Sequence, residues 1–189
     1  KNIVAKATVE ENFPKEIAIY DLNEFLASLS IFKSPVLEFE EQYLTIKEED
    51  QPHKKLTYFY SDPSVVQSPT KTITMPSEEV KFHLDMNKLL EMKRAAGVIG
   101  SPDMVLQKSS GNSSLLVKDK KNDTANNYSS DIKTDGDGEY KFFFKVENLK
   151  LFDGDYDVKI SSKNISHFKN DKSNIEYWIA LEPESTYSA

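Results

Sequence analysis

Two stretches of the chain share a pattern in which a short strand-like run leads into an amphipathic helix. Residues 16–20 and 79–84 are the strand-like runs. In the first stretch the apolar residues then recur at the i, i+3, i+4, i+7 spacing of one helix face, at Leu22, Phe25, Leu26 and Leu29. In the second, the stripe is marked by Met86, Leu89 and Leu90. The pattern predicts helices from Asp21 and from Asp85, the second running to about residue 96.

Both predicted helices begin with the same motif. Asp21-Leu22-Asn23 and Asp85-Met86-Asn87 lie 64 positions apart, and each Asp stands where a carboxylate accepts hydrogen bonds from the free amides of a first helical turn. A third strand-to-helix junction over residues 142–152 is looser, with a short helix expected at 147–152. Repetition of one unit predicts a subdomain duplicated in tandem.

The rest of the chain is rich in short strands. They are predicted at residues 2–9, 36–40, 43–47, 56–60, 104–108, 114–118, 128–133, 140–145, 156–161 and 177–181. Residues 62–77 differ, because Pro63, Pro69 and Pro76 interrupt a stretch with few regular apolar positions. The fold class predicted is α+β, with an N-terminal domain at 1–61, a connector at 62–77 and a C-terminal domain at 78–189.

Composition narrows the function classes. The 189 residues include no cysteine, which excludes disulfides, a thiol nucleophile and cysteine-based metal sites and favours a reducing cytoplasm. No apolar run approaches the length of a membrane span, so no membrane partner is expected. The 24 basic and 31 acidic residues give a net charge of −7, which indicates little about individual faces.

Candidate catalytic and metal-binding motifs are weak. His53, His83 and His167 are isolated from one another, and no phosphate-binding loop or nucleophile elbow occurs. Residues 135–138 superficially resemble a calcium loop but lack its 12-residue ligand pattern, so a hairpin turn is predicted there. No cofactor, metal or catalytic residue is predicted, and the protein is expected to bind rather than catalyse.

Three blocks of sequence resemble one known family. Residues 17–30, 62–66 and 177–186 are similar to the first-domain strand and helix, the connector and the last strand of the DNA polymerase sliding clamps of T-even-type bacteriophages. The resemblance implies two tandem processivity-fold domains per chain, with antiparallel sheets outside and helices on the lumen face. It also implies a homotrimeric ring around duplex DNA, and a first helix and strand that precede the residues seen here.

The resemblance assigns basic residues to the lumen of that ring. Contacts there would reach phosphates through water without reading base sequence. The candidates are Lys88, Lys93, Arg94 and Lys150, with Lys33 at the end of the first helix. An ordinary solvated helix face is the alternative for any one of them.

A second surface implied by the resemblance is a hydrophobic pocket for the peptide tails of partner proteins. Its candidates are Val65, Val66, Pro69, Ile73, Trp178 and Pro183. For Trp178, packing in the core is the alternative. The implied partners are the replicative DNA polymerase, an ATP-driven clamp loader and transcription factors, in the cytoplasm of an infected bacterial host.

A different class of function stays open at this point. The many short strands and four Asn-x-Ser/Thr matches, at Asn112, Asn122, Asn127 and Asn164, also suit a β-rich structural or adhesion module of a virion or a secreted protein. That alternative predicts no ring. A small hydrolase has no positive support in the sequence.

Overall fold

A computed structural model describes residues 2–67, 69 and 72–189. It contains, in chain order, β1 (Ile3–Ala7), α1 (Leu22–Ser30), β2 (Pro35–Phe39), β3 (Tyr43–Glu48), β4 (Gln51–Phe59), β5 (Val80–Leu84), α2 (Met86–Ile99), β6 (Asp103–Ser109), β7 (Asn112–Lys118), β8 (Tyr128–Asp131), β9 (Glu139–Lys145), β10 (Tyr156–Ser161), β11 (Ile165–Asn170), β12 (Ile175–Ala180) and β13 (Thr186–Ser188). Two 3₁₀ turns lie at Pro63–Val65 and Val146–Asn148. The predicted α+β class is confirmed.

The chain divides into two compact units, Glu10–Thr70 and Lys1–Val9 with Lys71–Ala189. The smaller unit consists of α1 and the antiparallel sheet β2-β3-β4. Asp21 caps α1 as predicted, since its carboxylate accepts from the amides of Asn23 and Glu24 at 2.9 and 3.1 Å. The buried apolar residues of this unit are Phe25, Phe32, Leu44 and Ile46.

Two predictions for the smaller unit are wrong. Residues 16–20 form no strand. Only part of the predicted apolar face of α1 is buried. Phe25 is buried and Leu29 packs beside it, whereas Leu22 is 59% exposed. The apolar spacing identified the helix correctly but indicated a wider buried face than this unit provides.

The larger unit contains two five-stranded antiparallel sheets, in the orders β1-β12-β11-β10-β5 and β13-β9-β6-β7-β8. Alternate residues of both sheets enter one core, together with Leu89, Met92 and Ala96 of α2. The helix ends at Gly100, whose φ of 66° is the left-handed conformation that glycine adopts without strain. It is three residues longer than predicted, and Gly97 lies within it.

Strand β1 joins the larger unit. It pairs with β12 over five residue pairs, from Ile3↔Ile179 to Ala7↔Ile175. Residues 1–9 therefore group with residues 71–189, whereas the sequence pattern places them in the N-terminal domain. Their partner strand lies more than 160 positions away, a separation that no local pattern reports.

One module recurs three times along the chain. A three-stranded antiparallel meander follows α1 (β2-β3-β4), α2 (β6-β7-β8) and the 3₁₀ turn Val146–Asn148 (β10-β11-β12). The junction at 142–152 is thus a full member of the repeat. The helix predicted at 147–152 is, however, reduced to that single turn.

The segment between β8 and β9 is not a hairpin, contrary to prediction, because β6 and β7 lie between these two strands in the sheet. The segment instead reaches the free edge of β5, where Asp135 and Lys81 exchange backbone hydrogen bonds of 2.7 and 2.8 Å. Gly136 fits closely there, since a Cβ would lie 2.9 Å from the Glu79 carbonyl oxygen. The two sheets of the larger unit are therefore joined at this point.

Candidate nucleic-acid and partner surfaces

Helix α2 carries three of the predicted lumen residues and is held firmly at its start. Asp85 caps it by accepting from the Lys88 amide at 2.9 Å, and the Asp155 carboxylate accepts from the Met86 amide at 3.0 Å. Two carboxylates at a helix N-terminus also complement its dipole. The positions of Lys88, Lys93 and Arg94 are thereby well defined.

Two of these residues make contacts within the larger unit. The Lys88 ammonium contacts the Ser130 hydroxyl of β8 and lies 3.2 Å from the Glu91 carboxylate. The Lys93 ammonium donates to the Leu151 carbonyl at 3.1 Å. Both lysines therefore help to hold α2 on the surrounding structure, and their charges are partly satisfied there.

The other basic candidates point to solvent. Arg94 lies on the exposed face of α2 rather than at its flank, and Lys150 is exposed beyond the 3₁₀ turn. In the smaller unit Lys33 is exposed just after α1. Within the described ranges, none of the three side-chain cations has a carboxylate within 4.0 Å, although the Lys33 backbone amide donates to Glu48 at 2.8 Å. Their charges are available to an external anion.

An apolar patch, formed by Leu90, Val98 and Tyr128, lies beside the free edge of β8. Val98 is 79% exposed, and the Tyr128 hydroxyl donates to the Glu91 carboxylate at 2.7 Å. That carboxylate raises the pKa of Tyr128 above its ordinary value. Sequence periodicity did not indicate this patch, because Val98 falls beyond the predicted end of the helix.

The first three partner-pocket candidates lie in the connector. Asp62 caps the 3₁₀ turn by accepting from the Ser64 amide at 2.8 Å, and hydrogen bonding by the side chain and then the amide of Ser64 lowers the pKa of its carboxyl. Val65 is 54% exposed, Val66 is half-buried and Pro69 is exposed.

A cavity of about 450 Å³ opens beside the start of the connector in the smaller unit. Its walls include Ile17, Ala18, Phe59, Tyr60 and Pro63, with Lys15 and Glu41 at the polar side. The Lys15 ammonium lies 4.9 Å from the centre of the Tyr60 ring. Within the part of the chain that the structure describes, the buried Tyr60 hydroxyl has no hydrogen-bond partner. The exposed Phe59 at the end of a predicted strand was the one sequence signal for this site.

The other candidates lie in the larger unit. Ile73 is half-buried, and Pro183 is exposed. Trp178 alternates along β12 with the buried Tyr177 and Ile179, so it lies on the opposite face of the sheet from the core. It stacks on His167 with ring centroids 4.9 Å apart. The core alternative for Trp178 is therefore wrong.

Metal and membrane sites are not indicated. Among the described residues, no group of three or more His, Asp or Glu side chains is placed to hold a metal ion. No helix in residues 2–67, 69 and 72–189 is long and apolar enough to cross a membrane.

Solved structures with this fold are DNA polymerase clamps. The chain superposes with a TM-score of 0.66 on the PCNA2–PCNA3 complex of Sulfolobus tokodaii, at 12% identity over 97% of this chain and 82% of that one. The beta clamp of Helicobacter pylori, solved with a DNA ligase peptide, gives 0.61 at 16% identity over 100% of this chain and 55% of that one. These similarities confirm the processivity fold.

Sequence comparison identifies the family. Residues 81–183 match the model of the gp45 sliding clamp, C-terminal domain. The sliding clamp of Vibrio phage KVP40 is 30% identical over 185 residues, which cover 95% of this chain and 82% of that protein. The resemblance found in the three sequence blocks is confirmed, and the chain belongs to the gp45 family of phage sliding clamps.

Proposed function

We propose that this chain closes head to tail with two further copies into a ring around duplex DNA, and so tethers the replicative DNA polymerase without catalysing a reaction. The observation that carries the proposal is the pairing of β1 with β12, which serves as a template for a contact between chains. The β-rich structural or adhesion module is set aside, because family membership favours the clamp.

The template follows from the repeated module. Strand β12 ends the third module as β4 ends the first, and β8 lies ahead of the third module, with β9 between, as β1 lies ahead of the α1 module. The corresponding pair elsewhere in the chain is therefore β8 with β4. Both are edge strands of their sheets in the described structure. Pairing of β8 in one copy with β4 in the next is a heterologous contact, which closes a ring when the rotation per copy is right.

The surroundings of β8 suit such a contact. An exposed strand edge invites pairing with another chain. The apolar patch Leu90, Val98 and Tyr128 lies directly beside it, where burial on assembly would remove apolar surface from water. A short strand pairing alone would be weak, so the patch would supply much of the association free energy.

Exposed basic residues would face the DNA. Arg94, Lys150 and Lys33 remain our candidates, since each is exposed and free to reach a phosphate. Lys88 and Lys93 would contribute less, because their ammonium groups already contact Glu91 and the Leu151 carbonyl. Water-separated, sequence-independent contacts of this kind let a ring slide, while the net charge of −7 discourages binding elsewhere.

Partner tails would dock in the connector region. The cavity beside Phe59 and Tyr60 offers apolar walls and an unsatisfied hydroxyl, as peptide grooves do. Val65, Val66, Pro69, Ile73, Trp178 and Pro183 remain proposed contributors. The tails would belong to the polymerase, an ATP-driven loader and transcription factors, in the cytoplasm of an infected bacterial host.

Ring closure is tested by light scattering coupled to gel filtration. The unaltered protein should have the mass of three chains, and Val98→Glu should reduce it to one, because a charge cannot be buried in the apolar patch. Val65→Glu is the matched control: it makes the same change at another exposed valine and should keep the trimer while weakening binding of a polymerase tail peptide. A monomeric unaltered protein, or a trimeric Val98→Glu, would refute the β8 contact.

The DNA surface is tested by charge reversal. Arg94→Glu with Lys150→Glu should shorten the products of loader-dependent polymerase extension, and the difference from the unaltered protein should be largest at low salt, where phosphate contacts are strongest. Lys163→Glu makes the same change at another exposed position, in the turn between β10 and β11, and should leave product length unaltered. Equal effects of the two sets would remove Arg94 and Lys150 from the DNA-facing surface.

A further inference from the structure

The last eight residues of the chain lie along the edge of β9. Strand β13 pairs with β9 through Thr186↔Lys141, Tyr187↔Tyr140 and Ser188↔Glu139. Two further hydrogen bonds of 2.9 Å precede this strand, from the Glu182 amide to the Phe143 carbonyl and from the Phe143 amide to the Ser185 hydroxyl. The tail thus satisfies main-chain groups along most of an edge that would otherwise be open.

A pair of lysines anchors the acidic start of this tail. The Lys120 ammonium lies 2.7 Å from the Glu182 carboxylate and 3.0 Å from that of Glu184. The Lys145 ammonium lies 2.7 Å from Asp103, which is 1% exposed, and 3.9 Å from Glu182. Asp103 also accepts from the Lys120 amide at 3.0 Å. Without the tail, the Lys120 ammonium would lose both carboxylate partners and the Lys145 ammonium would keep only Asp103.

Electrostatics favours keeping this anchor charged. Burial alone would lower the pKa of Lys120, but its hydrogen bonds with Glu182 and Glu184 outweigh that effect and raise the pKa. The contact with Lys120 also lowers the pKa of Glu184. The contacts between Lys120 and the two carboxylates thus keep both sides of the anchor charged.

An aromatic slot completes the site. The Tyr187 ring stacks on Phe142 at a centroid distance of 6.5 Å and packs against the large core. The edge thus combines main-chain hydrogen bonds, a two-lysine anchor and a place for one aromatic ring. Peptides that add a strand to an exposed sheet edge bind in a similar way: backbone hydrogen bonds supply affinity and side-chain pockets supply specificity.

The tail is a replaceable occupant of this site. Strand β13 is only three residues long and two of them are exposed, and such a segment belongs to the part of a structure that opens most readily. We propose that the edge of β9 with Lys120 and Lys145 is a peptide-docking site that the chain's own tail occupies at rest. A partner segment of the same chemistry, Glu-x-Glu followed by an extended Ser/Thr-aromatic stretch, displaces the tail and binds there.

An acidic segment of another protein fits the site better than the tail of a second copy. The chain's own tail is tethered to the site and acts at an effective concentration in the millimolar range. The tail of a second copy would make the same contacts and no additional ones, so it would compete poorly with the tethered tail. A partner can add contacts outside the tail's length. The site shares no residue with the connector cavity, and the inference does not depend on ring closure.

The test uses a fluorescein-labelled peptide with the sequence of residues 182–189, titrated into the full chain and followed by anisotropy. In Glu182→Gln with Glu184→Gln the resident tail loses its anchor, so this variant should bind the peptide about tenfold more tightly than the unaltered chain. A control peptide carrying the same two Gln residues should bind about tenfold more weakly than the acidic peptide. Lys120→Gln added to the variant should remove that preference.

Hydrogen exchange locates the binding. Peptide should protect the amides of residues 139–143, while unchanged exchange in β6 and β10 shows that the variants remain folded. No binding to the double Gln variant at millimolar peptide, or equal binding of the two peptides, would overturn the proposal. A concentration-dependent gain in mass without peptide binding would instead identify strand exchange between copies. None of these outcomes bears on the trimer test with Val98→Glu.

Discussion

The two compact units contain the same three-stranded meander but differ in how completely the apolar side chains of the meander are buried. In the larger unit two sheets and α2 surround one core, and residues such as Leu106, Phe142 and Ile160 are fully buried. In the smaller unit one three-stranded sheet faces a single helix, and only four apolar residues are buried. Large apolar residues including Tyr20, Leu22 and Ile31 stay exposed there.

The difference shows what one module can and cannot do alone. A helix and three strands bury a single apolar stripe, whereas a pair of modules closes a core from both sides. The smaller unit therefore retains apolar surface that is available for association. We expect stability to depend on the larger unit, whereas assembly would draw on both units, through β4 of the smaller one and the patch beside β8 of the larger one.

The sharpest test compares two phenylalanine truncations. Phe142→Ala should destabilise the larger unit by about 3–5 kcal/mol, because its site is enclosed and stacks with Tyr140 at 5.2 Å. Phe25→Ala removes the buried aromatic ring of α1 in the smaller unit. Its loss of stability should be about 1 kcal/mol smaller than that of Phe142→Ala, since the more open surroundings of Phe25 can relax. Hydrogen exchange measured in β6 reports the stability of the larger unit, and exchange in β3 reports that of the smaller unit. Equal losses of stability for the two variants would show that the two cores do not differ in this way.

A smaller effect is expected at the joint between the two sheets. Gly136→Ala places a Cβ 2.9 Å from the Glu79 carbonyl oxygen and 3.0 Å from Val80, so it should destabilise by about 1–3 kcal/mol. Gly97→Ala is the matched control, because nothing lies within 4 Å of its Cβ and it is inside α2. It should stabilise by about 0.5–1 kcal/mol. Shifts of the urea midpoint in the same direction would contradict the close fit of Gly136.

Acid should weaken one connection of the smaller unit. The Glu48 carboxylate accepts from the amides of Lys33 and Ser34, both at 2.8 Å, and these bonds hold its pKa below the usual 4.5. A pKa lowered by folding means that the stabilisation is present above pH 4.5 and lost as the pH falls through the folded-state value. Exchange protection of residues 33–34, measured from pH 7 to pH 3 and corrected for intrinsic rates, should fall accordingly. Glu48→Gln should remove most of this pH dependence, and an unchanged profile would show that Glu48 is not its source.

The smallest effect concerns the exposed face of α1. Leu22→Gln should change the free energy of unfolding by less than about 0.5 kcal/mol, because the side chain is largely in water already. Leu44→Gln, with the same change at a fully buried position, should be far more destabilising. Urea unfolding separates the two, and a large loss for Leu22→Gln would mean that this face is buried in solution.

Local chemistry explains which elements were predictable. The helix starts at Asp21 and Asp85 could be predicted from the sequence because an N-cap side chain bonds to amides only two or three positions further along the chain. Most strands followed from alternation, but β11 and β13 did not, since their polar residues obscure it. The hairpin expected at 135–138 was wrong because strand order within a sheet is not a local property.

The features of the candidate site can likewise be separated into those that the local sequence indicates and those that depend on distant segments. Arg94 and Lys150 were identified as basic and prove exposed, whereas the sequence could not show that Lys88 contacts Ser130 of β8 or that Lys93 contacts the Leu151 carbonyl. The cavity at Tyr60 and the lysine anchor of the tail combine residues from several elements. Periodicity says nothing about such combinations.

By itself the sequence determined the helix starts, the α+β class and, through three short blocks, the family. These depend on side chains interacting within a few residues or on resemblance along the chain. Only the tertiary structure decided that β1 belongs with β12, that β8 and β4 end as sheet edges, and that the tail covers β9. Those outcomes depend on hydrogen bonds and burial between distant segments, whose free energies are set by the complete fold.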